Sequence, residues 1–260
     1  NPAIPASGFI GESKDMIYRG LRESAENEAF LLKHVYVEKN LTDDERFVRA
    51  IEFINENKLD YPVVIKPDAG ERGKEVVIAK DIESLKKTIS GFEEDFLIQE
   101  FFGGAEAGIF YYRYPKSERG RIFSITEKSF PSVVGDGVST LEQLILNDER
   151  AICLAEKYLE YNFDELRKIP EEGETGQIIH IGTHTRGAIF SDGDRLLSEE
   201  LERKIDEISR GYKGFYFGRF DLRAASFESL KHGEEFKIIE LNGVTSESTN
   251  IYDKRYSLFD

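Results

Sequence analysis

Hydrophobic positions change period near residue 60. Phe47, Ile51 and Ile54 recur at spacings of four and three behind Thr42-Asp43, which predicts a capped amphipathic helix. The first 60 residues read as mostly helical after a Pro- and Gly-bearing entry, Asn1 to Gly11. Beyond Tyr61-Pro62, short β-branched and aromatic runs take over. Val63-Val64-Ile65-Lys66 predicts a strand stopped by Pro67-Asp68-Ala69-Gly70, and a charged, Gly-bearing turn leads to a second strand, Val76-Val77-Ile78. Asp81 caps a short helix with Ile82, Leu85 and Ile89 on one face. Phe96 to Phe102 predicts a strand ending at Gly103-Gly104. Together these elements predict a small α+β lobe at residues 35–102.

The second half reads as a larger α/β mixture. Strands are predicted at Gly108–Tyr114, Arg121–Thr126, Gln177–Ile181, Gly218–Arg223 and Phe236–Leu241. Ser139-Thr140-Leu141-Glu142 has capping-box spacing ahead of a helix bearing Leu141, Leu144 and Ile145. Ser198 caps a helix with Leu201, Ile205 and Ile208 on its apolar face, and Gly211 is its stop. No fixed-period repeat, low-complexity tract or long linker breaks the pattern.

Composition narrows the class. The 260 residues carry 35 Lys+Arg against 50 Asp+Glu, a net charge of −15, and 40% are hydrophobic. That balance fits a packed globular chain rather than a disordered one, and the acidity argues against a nucleic-acid backbone as partner. No apolar run approaches the ~20 residues of a membrane span, so neither membrane nor nucleic acid is expected as a partner. A single cysteine, Cys153, rules out an internal disulfide and points to a reducing, cytoplasmic setting. Set among Ala151, Ile152 and Leu154, it reads as a core residue of a helix.

Four clusters carry candidate chemistry, and each has a plainer reading. Lys66 ends a buried-looking strand before the loop Pro67 to Lys74. A lysine there can face a phosphate while amides freed by Gly70 and Gly73 donate to its oxygens; the plainer reading is a hairpin with a solvated basic turn. Gln99-Glu100-Phe101-Phe102 can pair an adenine edge, and Glu106 can accept from ribose hydroxyls; otherwise this is a core strand with a solvated carboxylate. Glu240 and Asn242, two apart on a strand, share a side, as do Arg219 and Asp221 on another. Their oxygens suit a hard cation such as Mg²⁺, and Arg219 can hold a terminal phosphate; the alternative is an acidic sheet edge. Lys128, with Val134-Gly135-Asp136-Gly137 and the segment His180 to Gly187, offers further positive charge through Lys128 and Arg186. The two histidines are four apart, but their Gly- and Thr-rich surroundings do not read as a metal-binding helix.

In their order the clusters resemble the ATP-grasp superfamily of carboxylate–amine ligases over residues 30–255. Pro131 to Gly137, Thr140 to Ile145 and Pro170 to Gly173 are similar to its cyanophycin-synthetase-like branch, near the D-alanine–D-alanine ligases. The resemblance implies an α+β fold of two lobes whose antiparallel sheets grip a nucleotide. Residues 35–102 would be the small lobe, 103–260 the large lobe, and 1–34 a remnant of an N-terminal lobe or a lead-in helix. It implies ATP contacts at Lys66, Gly70, Arg72, Gly73, Lys74, Gln99, Glu100, Phe101, Phe102 and Glu106. Magnesium or manganese would be held by Asp221, Glu240 and Asn242, with catalytic contacts from Arg219, Lys128 and Arg186. Either Lys14 or Lys33 falls where the family has its first nucleotide lysine. The implied activity joins a small-molecule carboxylate to an amine, such as amino acids or peptides, through an acyl phosphate. A non-catalytic nucleotide-binding module and a phosphotransferase are the alternatives, and a homo-oligomer is the default expectation. Two departures leave the substrates unnamed: Thr183 ahead of Arg186-Gly187-Ala188, and the run Gly243 to Asn250. The short N-terminal part and the ending Tyr256 to Asp260 are what a fragment of a longer protein would show.

Overall fold

The computed structural model describes residues 1–9, 12–70 and 75–257. Its elements are α1 (Lys14–Leu21), β1 (His34–Val37), α2 (Asp43–Glu56), β2 (Val63–Pro67), β3 (Val77–Ala79), α3 (Ile82–Ile89), β4 (Phe96–Glu100), β5 (Ala105–Tyr112), β6 (Arg121–Ser129), β7 (Ser132–Val134), α4 (Leu141–Asn147), α5 (Ala155–Tyr161), β8 (Thr175–Gln177), β9 (Ile189–Asp192), α6 (Glu199–Gly211), β10 (Phe217–Ala224), α7 (Phe227–Lys231) and β11 (Phe236–Asn242). They group into two compact units, residues 1–127 with 192–260, and residues 128–191.

The first unit contains two antiparallel sheets. In the smaller, ordered β1-β4-β2-β3, alternation divides the side chains between faces. Val37, Val63, Ile65, Phe96 and Ile98 join Phe53 and Ile54 of α2 and Leu85 and Ile89 of α3 in one core. The other face is left to His34, Lys66 and Gln99, with His34 opposite Gln99 across the β1–β4 pair. Both helices begin as their sequences predict. The Glu45 amide donates to Thr42 Oγ1 (3.3 Å) while Glu45 Oε2 accepts from the Thr42 amide (2.8 Å), and Asp81 caps α3.

In the larger sheet, strands run β11-β10-β5-β6. Ala107, Ile109, Tyr111, Phe220, Leu222, Ile238 and Leu241 pack with Ile17 and Tyr18 of α1 and Leu201, Ile205 and Ile208 of α6. The opposite face carries Glu106, Gly108 and Phe110 on β5, and Arg219, Asp221 and Arg223 on β10. Gly104, at φ +105°, turns the chain into β5, where a Cβ would collide with the carbonyl oxygen of Ala224.

The second unit builds its own core from Val133, Leu141, Ile145, Tyr158, Ile178, Ile179, Ala188 and Phe190. β7 pairs with β8. Asp136 accepts from the Val138 and Ser139 amides and from the Ser139 hydroxyl, bonds that hold its carboxyl down at about 2.

Several local expectations are corrected. The N-terminal 60 residues include the strand β1, whose four residues are too few to show a period. Residues 178–181 lie outside β8, with Ile178 and Ile179 buried as irregular chain. The cap of α4 is Thr140 paired with Gln143, one residue beyond the expected Ser139 and Glu142. Cys153 is exposed, because the turn Ala151–Leu154 buries Ala151 instead. β4 stops at Glu100, leaving Phe101 and Phe102 in the connection.

Candidate functional site

The pairing of β10 with β11 sets Arg219 opposite Asn242 and Asp221 opposite Glu240. Four polar side chains thus occupy a two-by-two block on one sheet face. Arg219 forks onto Asp221, Nε to Oδ1 at 3.2 Å and Nη2 to Oδ2 at 3.1 Å. Asn242 Nδ2 donates to Asp221 Oδ2 at 3.1 Å. Burial works against the guanidinium charge, but Asp221 and Glu240 outweigh it and keep the pKa of Arg219 above its ordinary value. On β5 the block lies against Gly108, where a Cβ would sit 3.3 Å from both Arg219 Cδ and Asp221 Oδ1. A side chain here would crowd the block, which glycine leaves room for.

A β-bulge in β11 turns Glu240 and Asn242 onto the site face. In Phe236 to Asn242 the apolar residues Phe236, Ile238 and Leu241 face the core, and strict alternation would send Glu240 there as well. The register shifts beside the Asp221–Glu240 pair, where Ile239 is the extra residue. Glu240 thereby faces the site while Ile238 and Leu241 stay in the core. The shift also leaves carbonyls to be used by side chains. Lys66 Nζ donates to Ile239 O at 2.9 Å, and Tyr18 Oη lies 2.8 and 2.7 Å from Ile238 O and Ile239 O.

Lys66 reaches this point from β2 and Lys14 from the first turn of α1. Both are buried, at 4% and 8% exposure. Lys14 Nζ is 3.3 Å from Glu240 Oε1 and donates to Gly70 O at 3.0 Å. Burial pushes the Lys66 ammonium down to about 7; Glu240 opposes that shift and Lys14 adds to it. The Tyr18 ring lies 5.6 Å from Lys66 Nζ, and its hydroxyl accepts from Gln99 Nε2 at 2.7 Å. Lys33 points elsewhere: its Nζ donates to Asn57 O at 3.3 Å on the surface. Of the two lysines the sequence left open, Lys14 is the one beside Lys66 and Glu240.

The segment 99–106 is held by polar contacts at both ends. Gln99 is buried on Tyr18, and Glu100 Oε2 accepts from the Lys33 amide at 3.1 Å. Glu106 is buried and paired with Arg223, whose Nε lies 3.0 Å from Glu106 Oε2. Arg223 also donates to Phe102 O at 3.2 Å and sits 5.4 Å from the Phe101 ring centre. Arg223 thus ties the connection Phe101–Phe102 to the sheet.

Gly70 ends the described part of its loop and receives Lys14; Arg72, Gly73 and Lys74 lie outside the described residues. Lys128 and Arg186 belong to the second unit. There Lys128 is buried with Nζ 5.9 Å from the Phe190 ring centre, and Arg186 lies 5.0 Å over Tyr161.

Chemically, the block supplies two carboxylates and one amide beside three cations. Among the described residues no group of three or more His, Cys, Asp and Glu is placed to hold a metal. The all-oxygen set Asp221, Glu240 and Asn242 fits Mg²⁺, which takes one or two carboxylates and completes its shell with water or phosphate oxygens. Residues that sequence reading passed over are Tyr18, Gly108 and Arg223. Their signals are a lone tyrosine on a helix, a glycine in a strand and an arginine two beyond Asp221.

Comparison with known proteins bears on this geometry. Residues 23–110 match the family model of the RimK-like ATP-grasp domain. A 5-formaminoimidazole-4-carboxamide-1-(beta)-D-ribofuranosyl 5'-monophosphate synthetase of Methanococcoides burtonii is 24% identical over 206 residues, covering 76% of this chain and 50% of that protein. The chain thus spans about half the length of the curated relative it matches. Among solved structures, the D-cycloserine synthetase DcsG aligns with a TM-score of 0.52 at 11% identity, over 93% of this chain and 65% of that one. The ADP complex of PurK, an N5-carboxyaminoimidazole ribonucleotide synthetase, aligns at 0.51 and 13%, over 92% and 46%. The VanG D-Ala:D-Ser ligase of Enterococcus faecalis aligns at 0.50 and 13%, over 94% and 56%. The fold is ATP-grasp, α+β with antiparallel sheets.

Proposed function

We propose that this chain, a member of the ATP-grasp superfamily, is an ATP-dependent ligase that joins a small-molecule carboxylate to an amine through an acyl phosphate, releasing ADP and phosphate. The observation that carries the reading is the convergence of Lys14 and Lys66 on the Glu240 end of the Arg219–Asp221–Glu240–Asn242 block. Buried cations beside a compact oxygen donor set are what a triphosphate with its divalent cation needs, and a net charge of −15 supplies no general attraction for that anion.

On this reading residues 35–102 cover the nucleotide, residues 103–260 carry the reacting end, and residues 1–34 lead in with Lys14. Lys66 and Lys14 bind phosphate oxygens, exchanging Ile239 O and Glu240 for the ligand. Gly70 contacts the phosphates together with Arg72, Gly73 and Lys74, which lie outside the described residues, and Gln99 to Phe102 with Glu106 contact the adenosine. Asp221, Glu240 and Asn242 hold the metal, Mg²⁺ or Mn²⁺, which when bound neutralises phosphate charge. Arg219 orients the terminal phosphoryl group. A carboxylate oxygen of the first substrate attacks the γ-phosphorus, whose bond to the bridging oxygen breaks as ADP departs. The amine nitrogen then attacks the acyl carbon, the carbon–oxygen bond to phosphate breaks, and the amine gives up a proton. The residues contribute position and electrostatics rather than a covalent intermediate.

The test is incubation with MgATP and a mixed pool of amino acids and short peptides, following ADP, phosphate and product masses together. ADP with a product lighter than its two substrates by one water is the expected result. A stable phosphorylated product formed without an amine would replace the ligase with a phosphotransferase. Nucleotide binding with no ADP formed would replace it with a non-catalytic module.

A further inference from the structure

The sheet face that carries the polar block continues past Arg219 into a row of aromatic rings. Phe217 lies two residues before Arg219 on β10, so its side chain emerges on the same face, about 7 Å along the strand. Phe110 is the β5 partner of Arg219, and Tyr112 is the partner of Phe217. Phe123 of β6 completes the row. The rings meet edge to face: Phe110–Phe217 at 5.0 Å, Phe110–Phe123 at 6.0 Å and Tyr112–Phe123 at 6.4 Å between centres, with interplanar angles of 68° to 77°. Phe123 is nevertheless 66% exposed and Phe217 38%. Such a contiguous apolar patch, bordered by charge, differs from isolated surface apolar residues.

The border is specific. Arg219 Nη1 donates to Glu247 O at 2.9 Å, which places the loop after β11 beside Arg219. The Glu247 carboxylate lies in the same loop, accepting from the Tyr252 hydroxyl at 3.1 Å. Ser248 of this loop bonds to Ser124, next to Phe123, and Thr249 bonds to Thr126 at 3.0 Å, fixing the loop along β6. A molecule beyond the terminal phosphate therefore meets Arg219, a carboxylate on a pinned loop and a preordered aromatic face.

We propose that this face is the subsite for the amine acceptor, and that the acceptor class is an amine bearing a flat, apolar or aromatic body. The assignment rests on the ligase reading, which makes Arg219 the phosphoryl end of the site. The body lies against Phe123 and Phe217, with Phe110 buried beneath them as their support, and the ammonium entering the site is drawn toward Glu247. Edge-to-face rings already in contact lose little side-chain freedom on binding, so aromatic contact adds affinity without a large ordering cost.

The test measures calorimetric binding of phenylalaninamide and alaninamide to the full chain in the presence of MgADP, for the wild type, Phe123→Ala and Phe217→Ala. Phenylalaninamide should bind about tenfold or more tightly than alaninamide to the wild type, a difference on the scale of one large apolar group in a pocket. Each substitution should remove most of that preference while MgADP affinity stays the same. Phe123→Leu separates lost ring contact from misfolding, and it should lose the preference with an unchanged melting temperature. Equal affinity for the two amides, or a preference that survives both alanine substitutions, would overturn the subsite. So would a wild-type dimer in sedimentation that Phe217→Ala disperses, since the face would then belong to a second copy. Failure of the ligase reading registers separately, as absent MgADP binding or absent ADP formation with the mixed substrate pool.

Discussion

The β10–β11 pair and the corner where α1 meets β1 both supply the polar site, but they do so by different rules. On the strands, position follows from alternation: Arg219 with Asp221, and Glu240 with Asn242, are two apart and face one way. At the corner, Lys14, Asp15 and Tyr18 come from one short helix and His34 from a strand, and each is fixed by a partner remote in sequence. Asp15 N donates to Asp68 Oδ1 at 2.9 Å, and Tyr18 reaches carbonyls 220 and 221 residues away. The strand pair carries the pairing within each strand in its own spacing, with the bulge at Ile239 deciding which face Glu240 and Asn242 take, whereas the corner acquires its geometry only when the chain has folded. Loss at the first region should therefore damage turnover with little effect on folding, and loss at the second should damage both.

The largest effect is expected from Glu240→Gln and Asp221→Asn. Each keeps the shape of the block and removes a charge. ADP formation should fall by about two to three orders of magnitude, the scale of losing one preorganised electrostatic contact, with thermal unfolding shifted only slightly. Steady-state rates with magnesium titration alongside a melting curve check this. Equal collapse of folding and turnover would remove these residues from the metal set.

Next comes a paired substitution. Lys14→Met should weaken MgATP binding by about 10- to 100-fold, the range for a charge-assisted contact, while Lys33→Met should leave it unchanged. Calorimetric titration of both variants decides between them. Reversed results would move the nucleotide contact to Lys33 and break the assignment of the corner to the site.

These two regions also divide what the sequence discloses. Arg219 with Asp221, and Glu240 with Asn242, are legible as pairs from their two-residue spacing, and α2, α3 and α6 from their caps and apolar stripes. The bulge at Ile239 was not visible, since Ile238-Ile239 reads as an ordinary buried run and only the register shift shows which residue is extra. β1 was hidden by its length. Cys153 was misplaced because apolar neighbours do not say which side of a short turn is buried. A lone tyrosine on a helix is a weak signal, and Tyr18's three hydrogen-bond partners lie in β4 and β11, far along the chain. For the same reason the choice between Lys14 and Lys33 stayed open until α1 was placed beside β2.

A smaller effect is expected from Tyr18→Phe. The ring remains beside Lys66, but Gln99 Nε2 loses its acceptor and the Ile238 and Ile239 carbonyls lose a donor in a buried setting. Leaving such groups unsatisfied costs about 1–3 kcal/mol, or a fall in melting temperature of several degrees. MgATP affinity should drop as well, because the same hydroxyl lies on the bulge carbonyl that holds Lys66. A melting curve and a nucleotide titration on one sample test both. Lost stability with full affinity would leave Tyr18 a packing residue and detach the corner from the site.

The smallest expected effect is one of pH, and it comes from His34. Arg22 Nη1 lies 3.2 Å from His34 Nδ1, and an arginine can only donate, so Nδ1 is the acceptor and Nε2–H faces Asp15 Oδ1 at 3.2 Å. The ring is thus neutral. Burial is the largest cause of its lowered pKa, followed by the Arg22 charge; Asp15 pulls the other way and Lys66 adds to the lowering. The unfolded chain takes up this proton near the ordinary pKa of about 6.5, before the folded chain does. Between the two values the unfolded state binds more protons, so His34 makes stability fall as pH drops below that point. His34→Gln has no ring to protonate and should flatten the acid limb of melting temperature against pH. An acid limb as steep in His34→Gln as in the wild type would mean that the corner is held by packing alone and not by the neutral Asp15–His34–Arg22 chain.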